Sequence, residues 1–237
     1  MKKLIIILFI SLYIHNVYGQ AFANKIKTFD RKKDAYIFLE NGDSIIGKIS
    51  DIDRWNGGVK KVYVKKDGEK TETKIEMNDI KFAYLPEGVM SNFNNFMKNA
   101  IRIDDDNKSY FVRQKLLKDG YGLFQKVEIL NVKNKHTLLL QVLNPTFANK
   151  VIIYGDPLAN ETGTMGFGGL TMSGGDDKSY FIKIVGDETP AFLLKKRDFD
   201  ENLEKIFSNC SQLLEKLKTK YSWRDFAEYI LENEDCK

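Results

Sequence analysis

The sequence predicts an α+β protein that is mainly β, with a small N-terminal SH3-like or Sm-like β-barrel or sheet, a β-sandwich-like middle and short C-terminal helices. Three observations carry this. Between about Asp34 and Leu85, short alternating segments are separated by Asn-Gly and Asp-Gly turns. Residues 91–196 continue in that style, and from Asp198 the apolar spacing changes to the helical period. Strands and helices in segregated blocks are the α+β pattern. The expected organisation is a signal peptide over 1–19, a barrel-like unit over 20–90, a sandwich-like body over 91–196 and a helical tail over 197–237.

Met1-Lys2-Lys3 precedes an unbroken apolar run of eleven residues, Leu4 to Ile14, and then Val17-Tyr18-Gly19 before Gln20. A positive start, a short apolar stretch and small residues before a cut are the layout of a secretory signal. Crossing a bilayer takes roughly 18 or more apolar residues, so the run is too short for an anchor. Cleavage is expected after Gly19, giving an exported, periplasmic or extracellular protein with no membrane span. No cysteine lies near that cut to accept a lipid. The net charge is +4, and Lys2 and Lys3 are the only charges before Gln20, so a chain without them carries +2. Such a balance implies no nucleic-acid partner.

In the first unit, Ala35 to Leu39 and Ser44 to Ile49 flank Asn41-Gly42-Asp43, which reads as a hairpin with a two-residue type I′ turn. Val62-Tyr63-Val64 and Thr71 to Ile75 flank a second turn at Lys66-Asp67-Gly68-Glu69, and Asn78 to Tyr84 closes the segment before Pro86. Four or five short strands of this kind make a small twisted sheet or barrel.

The middle contains a recurrence. Lys108-Ser109-Tyr110-Phe111-Val112-Arg113 returns as Lys178-Ser179-Tyr180-Phe181-Ile182-Lys183, each after paired aspartates (Asp105-Asp106 and Asp176-Asp177) and each before a turn and a second short strand. Two equivalent hairpins in one sandwich explain this better than a repeated ligand edge, and two copies do not make a solenoid. Between them, Thr137 to Leu143 is nearly continuous in apolar character, as in a strand buried on both faces. Seven glycines fall within residues 155–175, interrupted by Met165, Phe167, Leu170 and Met172. A loop of that length is either functional or disordered. This loop, 155–178, and the residue before it supply the ligand-binding candidates: Tyr154, Asp156, Phe167, Met172, Asp176 and Asp177.

In the tail, Phe199, Leu203, Ile206 and Phe207 share one helical face, and Cys210, Leu213, Leu214 and Leu217 share another. Ser222 and Asp225 approximate a capping box before Phe226, Ala227, Ile230 and Leu231. The two cysteines, Cys210 and Cys236, are expected to pair, because an oxidising compartment preserves a disulfide and two thiolates alone do not saturate zinc.

Chemical motifs are sparse. His15 leaves with the signal, and His136 reads as a turn residue beside Asn134 and Lys135 rather than as a base. The glycine cluster lacks the Gly-Lys-Ser/Thr of a phosphate loop, the helix of a dinucleotide site and the Gly-x-Ser-x-Gly of a nucleophile elbow. Asp104-Asp105-Asp106, Asp176-Asp177, Asp51 and Asp53 read as solvated turns rather than a glycosidase pair or an EF-hand. No catalytic residue, metal or cofactor is assigned.

Asn41-Gly42-Asp43 with Gly47, Tyr154-Gly155-Asp156-Pro157, Gly166-Phe167-Gly168-Gly169, Lys178-Ser179-Tyr180, Phe207-Ser208-Asn209-Cys210 and Trp223-Arg224-Asp225-Phe226 together resemble exported β-rich bacterial proteins of unknown function with a Cys-bearing helical tail. That resemblance implies a signal peptide and no transferable activity. The leading expectation is a non-enzymatic binding or structural protein of the bacterial envelope or surface, with an unknown protein or glycan partner. A carboxylate-based hydrolase of envelope polymers and a calcium-stabilised adhesion-type module are the alternatives.

Overall fold

The computed structural model describes residues 22–88, 114–131, 134–160, 164–167, 170–173 and 177–236. The signal sequence, the first copy of the recurrence and Asp104-Asp105-Asp106 lie outside the described residues.

Strands β1 (Asp34–Leu39), β2 (Ser44–Trp55), β3 (Gly58–Lys65), β4 (Thr73–Glu76) and β5 (Ile80–Pro86) are followed by a short helix, α1 (Gln114–Lys118). Then come β6 (Tyr121–Asn131), β7 (Asn134–Gln141), β8 (Val151–Gly155), β9 (Thr164–Phe167), β10 (Leu170–Ser173), β11 (Ser179–Ile184) and β12 (Ala191–Lys195). Helices α2 (Phe199–Phe207), α3 (Ser211–Thr219) and α4 (Phe226–Asp235) complete the chain. The protein is mainly β with short C-terminal helices, as its patterning predicts.

Neighbouring strands run β3-β2-β1-β5-β6-β7, and β7 returns to β3 through Val59 opposite Leu139, closing a six-stranded barrel. The first five strands do not close by themselves; the β6–β7 hairpin supplies the missing third of the wall. Ile37, Val62, Val64, Ile80, Leu85, Phe124 and Leu139 are buried together in one core cluster. One further strand edge makes the link to the second layer. β5 pairs with β6 from Tyr121 to Gln125, and β12 joins β6 in parallel at Ile129 and Leu130, leading on to β11 and β8.

The β6–β7 hairpin is therefore covered on both faces. Phe124 and Leu139 belong to the cluster just described, while Leu123, Val127, Leu138, Leu140 and Val142 pack with Tyr154, Phe181 and Ala191 in a second core. Leu138 to Leu143 are all buried, which is why that stretch carries almost no polar alternation. The other face of β8-β11-β12 meets the helices in a third core, where Ile153, Tyr180, Ile182 and Leu194 pack on Phe199, Leu203, Phe207, Leu213, Phe226 and Ile230. Cys210 and Cys236 form the expected disulfide, 26 residues apart in sequence.

A strap, residues 22–29, runs across these layers. Phe22 meets Phe147, Tyr180 and Phe226. The Ala23 amide donates to Leu143 O at 2.7 Å, and Gln141 clasps the strap twice, accepting from Ile26 N at 2.7 Å and donating to Asn24 O at 2.8 Å. Gly122 leaves room for the strap, since a Cβ there would lie 2.7 Å from Ile26 Cδ1.

Four local readings are corrected. The Asn41-Gly42 turn has positive φ only at Gly42, and the strands resume pairing at Phe38 and Ser44, so the loop is longer than a two-residue type I′ turn. That turn type occurs instead at Asn56 (φ 47°) and Gly57 (φ 76°), between the paired residues Trp55 and Gly58. The expected turn at Lys118-Asp119-Gly120 and the strand after it are present, with Gly120 at φ 83°, but the turn follows a short helix over 114–118 that the pattern did not indicate. Within the long glycine-rich segment, β9 and β10 pair as a hairpin, which replaces the expected loop with regular structure over those residues. At the last helix, Ser222 makes no side-chain cap; its amide donates to Tyr229 Oη at 3.1 Å. Among the described residues no helix is long and apolar enough to cross a membrane.

Candidate functional site

Asn56-Gly57 is a turn that local chemistry builds, because both central residues of a type I′ turn need positive φ and Asn-Gly supplies it. Glycine is required at 57 for a second reason: a Cβ there would lie 2.7 Å from Pro157 Cβ. The turn holds Trp55 at the end of β2, where it is 43% exposed. Its ring meets His136 of β7 at 5.3 Å with an interplanar angle of 70°, the edge-to-face arrangement favoured by aromatic quadrupoles.

Beneath the pair opens a cleft of about 380 Å³. Buried Val59 and Leu138 contribute its apolar lining, while Asn78 and Thr137 bring polar groups. Exposed Lys60 and Lys135 also line it, and none of the lining residues is acidic. Lys60 reaches this position through a bulge. Arg54 pairs with Val59 and Asp53 with Lys61, leaving Lys60 without an opposite residue. Regular alternation with buried Val62 and Val64 would turn Lys60 towards the barrel interior; the extra residue breaks that alternation.

The residues singled out from sequence lie elsewhere. Tyr154 is buried, its hydroxyl donates to Gln125 Oε1 at 3.2 Å, and burial raises its pKa far above the ordinary tyrosine value. Buried Asp156 accepts from Ser179 Oγ at 2.6 Å and from Leu158 N at 2.9 Å. The Asp177 carboxylate pairs with Lys25 at 2.8 Å, and Lys25 also donates to Asp156 O at 3.1 Å. Trp223 Nε1 donates to Asp177 O at 2.7 Å. Tyr154, Asp156 and Asp177 thus belong to the seam that holds the strap. Phe167 and Met172 sit on β9 and β10, their side chains outside the described residues, as is Asp176. Of the other acids, Asp53 accepts from Tyr63 Oη at 3.2 Å and Asp51 lies 4.0 Å from Arg31.

A larger cleft of about 510 Å³ lies beside Tyr36 and Tyr121. Two of its lysines already have partners, one of them outside the lining. Lys48 pairs with Asp67 at 2.7 Å and lies 4.0 Å from Asp34, and Lys33 donates to Asp119 O at 3.1 Å. Burial, then the nearby Tyr36 and Asp34, pushes the Tyr121 hydroxyl up to about 12.

Sequence reasoning missed Trp55. The available signal was a tryptophan directly before Asn-Gly-Gly, an aromatic residue at a hairpin tip. His136 is a strand residue of β7 rather than a turn residue. Among the described residues, no group of three or more His, Cys, Asp or Glu gathers where it could hold a metal ion. Comparison with protein-family models, with curated proteins and with solved structures finds no match to this chain.

Proposed function

We propose that this is an exported, non-enzymatic binding protein of the bacterial envelope or surface, of the β-rich kind with a Cys-bearing helical tail, and that it engages its ligand at the Trp55 cleft. The exposed Trp55 over that cleft is the observation that carries the reading. An indole left 43% in water is an apolar surface available to a partner, and 380 Å³ lies within the usual range of ligand pockets. The disulfide supports export, since such bonds persist in oxidising compartments. The structural roles of Asp156 and Asp177 favour binding over carboxylate-based hydrolysis, because a general acid or nucleophile needs a carboxyl group aimed at substrate.

The test is expression of the chain from Met1, followed by intact-mass analysis of the exported product and by ligand screening. A product beginning at Gln20 with one disulfide, and a ligand whose affinity falls with Trp55→Ala, are expected. Retention of residues 1–19 on a cytosolic product with free thiols would overturn the export reading. Turnover of a glycan, peptide or ester would overturn the non-enzymatic one.

A further inference from the structure

Resting on that reading of the site, we infer that the Trp55 cleft takes an acidic saccharide, a glycan segment carrying a sugar carboxylate. Three independently built features converge there. The type I′ turn holds the indole at the cleft with nearly half its surface in water. The β3 bulge displaces Lys60 from the position alternation would give it, and bulges commonly re-aim a side chain beside a site. β7 adds Lys135, His136 and Thr137, while the turn after β4 adds Asn78.

The chemistry of these groups is complementary to an acidic sugar. The negative face of an aromatic ring suits the C–H face of a pyranose. Asn78, Thr137 and His136 offer hydrogen bonds for hydroxyl groups. Two lysines lining a cleft that no acidic residue lines suit a carboxylate. Lys135 has a competing partner in Glu128 at 3.6 Å, but both side chains are about half exposed, so water weakens that pairing. Lys60 makes no ion pair among the described residues, whereas its neighbour Lys61 lies near Asp53 and Glu76 at 4.0 and 3.6 Å.

An acidic peptide fits less well. Extended peptides bind by adding a strand to a free edge. β3, which contributes Val59 and Lys60 to the cleft, is paired with β2 along one edge and with β4 and β7 along the other.

The experiment titrates the purified exported product with trigalacturonic acid, neutral maltotriose and a triglutamate peptide, using calorimetry and tryptophan fluorescence. Trp223 is buried, so a ligand-dependent blue shift reports Trp55. Trigalacturonate is expected to bind saturably and at least tenfold more tightly than maltotriose, with affinity falling as salt rises. Trp55→Ala should weaken binding tenfold or more, Lys60→Gln should weaken it severalfold and flatten the salt dependence, and Lys61→Gln should change neither. Circular dichroism establishes that each variant folds, and Lys60→Gln remains informative if Trp55→Ala does not. No binding of trigalacturonate, or equally tight triglutamate binding, would overturn the inference. Equal, Trp55-dependent binding of maltotriose would overturn the acidic class while leaving the binding reading intact; trigalacturonate binding indifferent to both Trp55 and Lys60 would remove the site from both.

Discussion

The two tryptophans of this chain occupy opposite environments. Trp223 is 6% exposed, stacked on Tyr180 and Phe226 with Phe199 against its edge, and its indole N–H is spent on Asp177 O. Trp55 is mostly outside any core, held by a turn against His136. The same contrast extends to the charges around them. Lys25 and Asp177 satisfy each other in the seam beneath Trp223, whereas Lys60 near Trp55 stands exposed. One environment uses its aromatic and charged groups to hold layers together, and the other leaves them in water. That difference sets the proposed site apart where residue type does not, because both surroundings contain aromatics, lysines and polar partners.

The sharpest way to break the comparison is truncation of each indole. Trp223→Ala removes a large buried side chain and should cost about 3–5 kcal/mol in urea unfolding. Trp55→Ala should cost clearly less, about 1 kcal/mol, through loss of the ring contact with His136. Equal losses would erase the distinction.

Next in size is the disulfide. Replacing Cys210 and Cys236 together by serine should lower stability by about 3–4 kcal/mol through loop-closure entropy, measured by the urea midpoint. Binding at the Trp55 cleft should survive at temperatures where the variant is folded, since the bond belongs to the helical layer.

Lys25→Met should cost about 1–3 kcal/mol, because it leaves the partly buried Asp177 carboxylate without its cation and loosens the strap. Pairing it with Asp177→Asn should cost less than the sum of the two single changes, which a double-mutant cycle would detect. Additive losses would mean that the ion pair does not couple the strap to the seam.

The smallest expected effect is acid sensitivity. A hydrogen bond from Lys218 holds the Glu204 carboxyl below its usual range, and hydrogen bonds from Thr189 do the same for Asp187. Depressed folded-state values mean that this stabilisation is present above the unfolded pKa near 4 and is lost as pH falls through the folded values. Both groups are at the surface, so the urea midpoint should fall only slightly from this cause below about pH 4. The Glu204–Lys218 share should shrink further in high salt.

Much of the architecture was legible from local patterning. Strands and turns through 34–86, the doubly covered run at 137–143 and the helical stripes after Asp198 all follow from period and turn chemistry, which act over a few residues. The site was much less legible. Asp156 and Asp177 stood out as acids beside glycines, yet their surroundings depend on Ser179 and on Lys25, which lies more than 130 residues before Asp156. Lys60 looked like any strand lysine until pairing with β2 left it unmatched.

By itself, the sequence determined most of the strands and several of the chain reversals, which faces seek burial, and that only two cysteines were present to join. Tertiary structure decided that β7 returns to β3 to close the barrel, that the strap crosses three layers, and that Trp55 and His136 meet over a cleft. The physical reason is range. Turn and helix preferences are settled by neighbours in the chain, whereas strand edges carry generic donors and acceptors, and their choice of partner depends on how all the apolar faces can be buried at once.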